Sequence, residues 1–241
     1  WGDLACFTRP ELKVERFSYP VITPSAARGI FDAIYSKPNR DPTQAQFRWQ
    51  VTRIEILNEP RYIALRRNET KEKLSIDKVQ DWMAGKAPPE PILADADSVI
   101  SGGDAKGRTQ RQTLALRDVR YRLHARIVPW PGYEDRQKAF EEQFKRRAAH
   151  GKCFYQPYFG CREFPAYFEW REPGSPLPAD RWQGDLDIGL MLYDVFDLSS
   201  PGTPNSASRI SLFRAQVCQG VLIVPPPDSP DVLRPEGGEA K

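Results

Sequence analysis

Apolar positions recur along this chain at two spacings, and turn residues mark where one spacing gives way to the other. Thr23-Pro24 opens a helix, with Thr as N-cap and Pro at the first helical position. Ala26, Ala27, Ile30, Phe31 and Ile34 follow at helical spacing, and Pro38 ends the run. The stretch FRWQVTRIEIL at 47–57 alternates at Phe47, Trp49 and Val51, then changes phase at Ile54 and Ile56, which predicts a strand with a bulge. Arg61–Arg67 reads as its partner strand. Residues 68–107 read as an insertion: an amphipathic helix over Ile76–Ala84 between the N-cap Ser75 and the stop Gly85, then a long polar loop bearing Pro and Gly. Val119–Pro129 alternates without a fault. Asp135–His150 predicts a helix with Phe140, Phe144 and Ala148 on one stripe and Gly151 as its C′ residue. Phe164–Arg171, Asp187–Leu198 and Ile210–Val224 read as further strands, and the Pro-rich, polar residues 225–241 as a tail.

Allowing for the insertion, the first half runs strand, helix, strand, strand, strand, helix, strand. This is close to the βαββαβ order of the ferredoxin-like plan, which RNA-recognition domains also use. The expected class is α+β. A ferredoxin-like RNA-binding domain over 1–170 carries the insertion at about 68–107. A small C-terminal antiparallel sheet over 171–225 and a tail over 226–241 follow. A chain of 241 residues can bury an ordinary core. No fixed-period repeat is visible, and no apolar run approaches the ~20 residues a membrane helix needs. Leu4–Phe7 reads as the end of a strand and Trp1 is not Met, so residues upstream of Trp1 are expected.

Charge changes the picture through its distribution. The balance of 35 Lys and Arg against 32 Asp and Glu leaves only +3, so a nucleic-acid surface requires segregation of charge. Acidic residues gather in 90–104 and Asp180–Asp197, and Arg dominates 108–126 and 136–152. On the alternating strand, Val119, Tyr121, Leu123, Ala125 and Ile127 share one face, and Arg120, Arg122, His124 and Arg126 the other. Such neighbours repel by roughly a few tenths of a kcal/mol per pair, so an anion must offset them, either a protein carboxylate or phosphate. A second concentration sets Arg136, Lys138, Lys145, Arg146, Arg147 and Lys152 beside Phe154, Tyr155, Tyr158 and Phe159, with a turn at Gly160. Cations suit a phosphate backbone and flat rings suit unstacked bases. The expected ligand is single-stranded or hairpin RNA, with non-specific affinity for DNA from the same charge.

No P-loop and no GxGxxG after a strand supports a small-molecule enzyme. Cys6, Cys153, Cys161 and Cys218 are spread without a CxxC pair, which reads as reduced thiols of a cytoplasmic protein. A zinc site from His150, Cys153 and Cys161 has a spacing that matches no common ligand pattern.

Four segments resemble the CRISPR-associated Cas-five family of subtype I-C, within the repeat-associated RNA-binding superfamily. They are WGDLACFTRPELKVERFSYPVITPSAARGIFDAIYSKP at 1–38, FRWQVTRIEIL at 47–57, LALRDVRYRLHA at 114–125 and FEEQFKRRAAHGKCFYQPYFGCREF at 140–164. The resemblance implies a ferredoxin-like domain with a small C-terminal sheet. The implied activity is metal-independent cleavage of CRISPR repeat RNA (pre-crRNA) at the base of its hairpin, with no cofactor. It also implies that the protein stays on the 5′ handle, with the other subunits of the type I-C surveillance complex as partners. The family's tyrosine at the end of the first helix matches Tyr35. The lysine of its Lys-His pair matches Lys138, and the histidine position holds Ala139. Ser36 stands where the family usually carries a large aromatic.

Metal-free RNA cleavage needs a base for the 2′-OH, a cation for the phosphorane and an acid for the leaving 5′-oxygen. Histidine suits proton transfer at neutral pH, lysine suits charge, and tyrosine positions or protonates but is a poor base unless its pKa falls. With Ala139 in place of His, the expected chain binds repeat RNA and cuts it slowly or not at all. By pattern alone Tyr35 also reads as a core aromatic, and Lys138 as a solvated lysine. His124 is the candidate substitute base, and His150 reads as a partner for the helix C-terminus or a phosphate. The RNA contacts expected are Arg120, Arg122, His124, Arg126, Lys145, Arg146, Arg147 and Lys152. Two readings stay open: an endoribonuclease, intact or disabled, and a non-catalytic structural RNA-binding subunit.

Overall fold

The computed structural model describes residues 1–12, 15–38, 45–71, 73–92, 107–199 and 208–234. Residues 93–106 of the expected insertion, with most of its acidic stretch, and the end of the tail lie outside these. The elements are β1 (Gly2–Ala5), β2 (Arg16–Phe17), α1 (Pro24–Ile34), β3 (Phe47–Ile56), β4 (Arg61–Thr70), α2 (Ile76–Met83), β5 (Arg108–Val119) and β6 (Tyr121–Pro129). A 3-10 turn at Glu134–Arg136 leads into α3 (Gln137–Ala149), followed by β7 (Leu186–Phe196), β8 (Ser208–Cys218), β9 (Val221–Ile223) and β10 (Val232–Leu233). The protein is a mixed α+β structure with two sheets and few helices. Among the described residues, no helix is long and apolar enough to cross a membrane.

Local chemistry sets α1 as expected. The Thr23 hydroxyl accepts from the Ala26 N–H at 3.2 Å, Pro24 occupies the first turn, and Ala27, Ile30 and Ile34 are buried. The bulge in β3 is also present: Val51 pairs with Ala125 and Arg53 with His124, so Thr52 is the extra residue.

The chain forms two compact units. The first holds Trp1–Ile63 and Leu114–Lys241, and the second holds Ala64–Thr113. In the first, β1 pairs with the end of β5, Gly2 opposite Val119. A sheet in the order β10-β8-β9-β3-β6, with β7 on β8, carries core residues along its length, among them Trp49, Ile54, Met191, Phe213 and Leu222. In the second, the Arg111 guanidinium meets Glu69 at 3.0 Å, and α2 buries none of its residues.

Several elements differ from the sequence reading. Arg108–Val119 is a long strand where none was expected. Its outer half, RTQRQT, is polar and lacks the apolar alternation that marks a strand facing a core. Asp118 takes φ 53 and the chain breaks at Arg120, so β6 starts at Tyr121. The strand expected over Ile210–Val224 is a hairpin, with Gln219 (φ 50) and Gly220 (φ 75) forming its two-residue turn. The strand expected over Phe164–Arg171 is irregular apart from a bridge between Tyr158 and Pro165. Strands expected to form their own small sheet continue the sheet of β3 and β6, because β9 pairs with β3 (Ile54 opposite Leu222). Val232 and Leu233, inside the expected tail, pair with Phe213 and Leu212.

Candidate nucleic-acid interface

Aromatic packing on β3 brings the end of α1 to the start of α3. Phe31 stacks on Trp49 with ring centres 4.9 Å apart, and Tyr35 lies 5.5 Å from Phe47. On α3, Phe144 meets Trp49 at 4.6 Å and Phe140 meets Phe47 at 4.9 Å. Four helical residues advance about 6 Å and two strand residues about 6.6 Å. An i,i+4 pair on each helix therefore fits the same i,i+2 pair on the strand. The two helices meet that pair in opposite order, so Tyr35, the residue just past α1, and Phe140, two residues after Lys138, share Phe47.

Tyr35 is the C-cap of α1 in extended conformation (φ −154, ψ 118) and donates its N–H to the Phe31 carbonyl at 2.8 Å. Its own carbonyl accepts from Trp49 Nε1 at 2.8 Å. The ring is buried, and that burial pushes the phenol above its ordinary range, opposed by the Arg136 and Arg147 charges. A phenol shifted upward stays protonated at neutral pH. It can donate a hydrogen bond or a proton, and it cannot serve as base.

Two arginines hold this end together. Arg136 Nη1 donates to Gln46 Oε1 at 3.1 Å, and the Gln46 N–H donates to the Lys37 carbonyl at 2.8 Å. Arg147 Nε donates to the Ile34 carbonyl at 2.7 Å, and its guanidinium lies 3.9 Å from the centre of the Phe154 ring. The N–H groups of Phe154 and Tyr155 both donate to the Ala33 carbonyl, at 2.7 and 3.3 Å. Lys138 and Ala139 are exposed on the first turn of α3, and Lys152 is exposed beyond Gly151. Arg136 belonged to the cation run in the sequence, but nothing there marked it as a neighbour of Tyr35.

The basic face of β6 has a different environment. Glu55 on β3 is buried, and three basic groups converge on its carboxylate: Arg53 at 3.0 Å, His124 at 3.2 Å and Arg122 at 3.8 Å. Arg122 also donates to the Ser175 and Pro176 carbonyls at 2.7 and 2.8 Å. Arg126 donates twice to Gln50 Oε1, at 3.2 and 3.1 Å. The anion that offsets the repulsion is thus a protein carboxylate, and Arg122 and His124 are engaged within the fold. Only the phase of Glu55 on the bulged strand could have hinted at this.

The remaining expected residues vary. Lys145 pairs with Glu172 at 2.9 Å, Arg146 bonds Gln143, and His150 Nδ1 lies 2.7 Å from the Arg146 carbonyl. Arg120 is exposed at the strand break. Phe154 and Tyr155 are exposed, whereas Phe159 is core, packed edge-on to Phe7 and Tyr121. Gly160 is required where it stands: at φ 80, a Cβ would lie 2.0 Å from the Cys6 carbonyl oxygen. His150, Cys153 and Cys161 form no metal site; among the described residues no group of His, Cys, Asp or Glu is arranged to hold a metal ion.

The family model of the CRISPR-associated Cas5 proteins of the Cas5d type matches residues 1–225. A curated relative from Mannheimia succiniciproducens, the CRISPR pre-crRNA endoribonuclease Cas5d, is 41% identical over 239 residues, covering 97% of this chain and 96% of its own. The protein of the same name from Thermus thermophilus is 36% identical over 253 residues, covering 100% of this chain and 96% of its own. Among solved structures, one described as a CRISPR-associated protein superposes with TM-score 0.58 at 18% identity, over 96% of this chain and 92% of that one. A functionally uncharacterized protein from Streptococcus mutans superposes with TM-score 0.55 at 19% identity, over 96% and 93%. At such identities these two likenesses speak to the fold alone.

Proposed function

The chain belongs to the Cas5d family of CRISPR-associated proteins, and on that premise we propose that it binds CRISPR repeat RNA and processes pre-crRNA as an endoribonuclease. The observation that carries this is the 41% identity to a pre-crRNA endoribonuclease across nearly the full length of both chains. In this reading the protein cuts at the base of the repeat hairpin, stays on the 5′ handle, and joins the other subunits of a type I-C surveillance complex. Its helix-bearing part follows a ferredoxin-like plan, a reading supported by α1 and α3 packing together on β3.

The reaction is attack of the 2′-oxygen on the adjacent phosphorus with departure of the 5′-oxygen, leaving a 2′,3′-cyclic phosphate. The scissile phosphate lies where the end of α1 meets the start of α3. Tyr35, protonated at neutral pH, orients the 2′-OH or gives its proton to the leaving oxygen. Lys138 supplies charge to the phosphorane, and the Arg136 and Arg147 charges add to the field there. The missing part is a base: Ala139 has only a methyl group, and His124, the other candidate, stands opposite Arg53, six strand residues along β3 from the Phe47 on which Tyr35 packs. General acid–base catalysis is worth about 10²–10⁴-fold, so the chain cuts slowly and its binding role dominates. That deficit favours the second reading, a structural RNA-binding subunit that holds the 5′ handle.

The test is labelled repeat RNA incubated in EDTA with the parent chain and with Ala139→His. Slow cutting by the parent at the hairpin base, faster cutting by the variant and a cyclic-phosphate end are expected. Cutting that is lost in EDTA and restored by magnesium overturns the chemistry. Absence of repeat-RNA binding overturns the function.

A further inference from the structure

Beside Tyr35 the structure holds an aromatic pair whose rings contribute nothing to the core. Phe154 is 54% exposed and Tyr155 78%. Their backbone is fixed all the same, since both N–H groups share the Ala33 carbonyl in the last turn of α1, two residues before Tyr35. Arg147 covers one face of Phe154 at 3.9 Å. Its Nε is engaged by Ile34, and neither Nη nitrogen has a hydrogen-bond partner among the described residues. The arrangement therefore combines a fixed backbone, an open ring and a guanidinium with donors to spare.

We infer that Tyr155 is a platform for one unstacked nucleobase, and that the Arg147 Nη donors take the phosphate next to it. Phe154 holds the Arg147 guanidinium flat, so the ring left open for a base is Tyr155. The occupant is a nucleotide of the single-stranded RNA flanking the repeat hairpin: the site pairs a cation with a π-face, which are the two complements of a phosphate and a base. Stacking is indifferent to which base it receives, because every base has a π-face. Tyr155 therefore fixes the position of the chain at the site and leaves sequence choice elsewhere. The inference rests on the repeat-RNA reading above and adds the residue that sets where the strand lies.

The experiment uses the full chain and repeat RNA in which 2-aminopurine replaces each flanking nucleotide in turn. In the parent, fluorescence on binding should change in a way specific to one flanking position. Tyr155→Ala and Tyr155→Leu should abolish that change and bind about 5- to 150-fold more weakly, the range that stacking of one base supplies. Tyr155→Phe should keep both signal and affinity. Unchanged thermal melting of the Leu and Phe variants controls for folding. If the parent binds repeat RNA and Tyr155→Leu binds it equally well, the platform is wrong and the repeat-RNA reading stands. If the parent binds no repeat RNA, both fall together.

Discussion

On β6, Arg122 and His124 close on the buried Glu55, and Arg122 spends two donors on backbone carbonyls. On α3 and the loop after it, Lys138 and Lys152 are exposed, and Arg147 bonds a single carbonyl beside two exposed aromatic rings. Both regions read as basic stripes in the sequence. The difference lies in the neighbouring strand: β3 presents a carboxylate to β6, whereas it presents Phe47 and Trp49 to α3. A cationic stripe whose counter-charge is internal stabilises the fold, and one packed on apolar rings keeps its charge for a ligand.

Restoring a proton carrier on α3 should have the largest effect. Ala139→His should raise the cleavage rate about 10²-fold or more with little change in RNA affinity. Tyr35→Phe added to it should remove most of that gain, measured by single-turnover kinetics. Breaking the internal pairing on β6 comes next. Glu55→Gln leaves Arg53, Arg122 and His124 without their carboxylate and should cost roughly 2–4 kcal/mol of stability in denaturant titration, with RNA affinity nearly unchanged. A substantial gain in RNA affinity on that substitution would mean that the β6 face binds once released.

The two faces can then be set side by side. Lys138→Ala should weaken RNA binding a few-fold and make the salt dependence shallower by about 0.7 in log–log slope, the share of one phosphate on a single strand. Arg122→Ala should lower the melting temperature and leave that slope alone. The smallest effect concerns Asp32 on α1, whose carboxyl is pushed up to about 6 by burial, against the pull of Arg28. Between about pH 4 and pH 6 the folded chain holds a proton that the unfolded chain releases, so this group's contribution falls as pH rises through that window. Asp32→Asn should therefore gain stability relative to the parent at pH 7.5 compared with pH 5. The gain should be modest, because 27% of the Asp32 side chain remains exposed. A melting-temperature difference that does not vary with pH would contradict the shift.

Elements whose signal is local were legible in the chain: the Thr23-Pro24 start of α1, the phase change in β3, the Ser75–Gly85 helix and the apolar stripe of α3 all stand as read. What was not legible depends on partners distant in sequence. RTQRQT forms a strand by pairing with β4 rather than by burying a face. QG at 219–220 is a two-residue turn that was concealed because apolar residues recur on both sides of it, through Val217 and from Val221 on. The separate status expected of the C-terminal strands failed because Val221–Ile223 add to β3. In the candidate site, Tyr35 and Lys138 came from resemblance, since a buried ring and an exposed lysine are unremarkable alone. That Tyr35 and Phe140, two residues after Lys138, share Phe47 needed the structure, as did the removal of Arg122 and His124 from the open cations.

The proposed site engages RNA at the junction of α1 and α3 and not on β6. Ultraviolet cross-linking of bound repeat RNA, with the cross-linked residues assigned by mass spectrometry, tests it directly. Cross-links at Tyr155, Phe154 and the first turn of α3 are predicted. Cross-links confined to Tyr121–Ile127, with residues 136–159 unmodified, would contradict it.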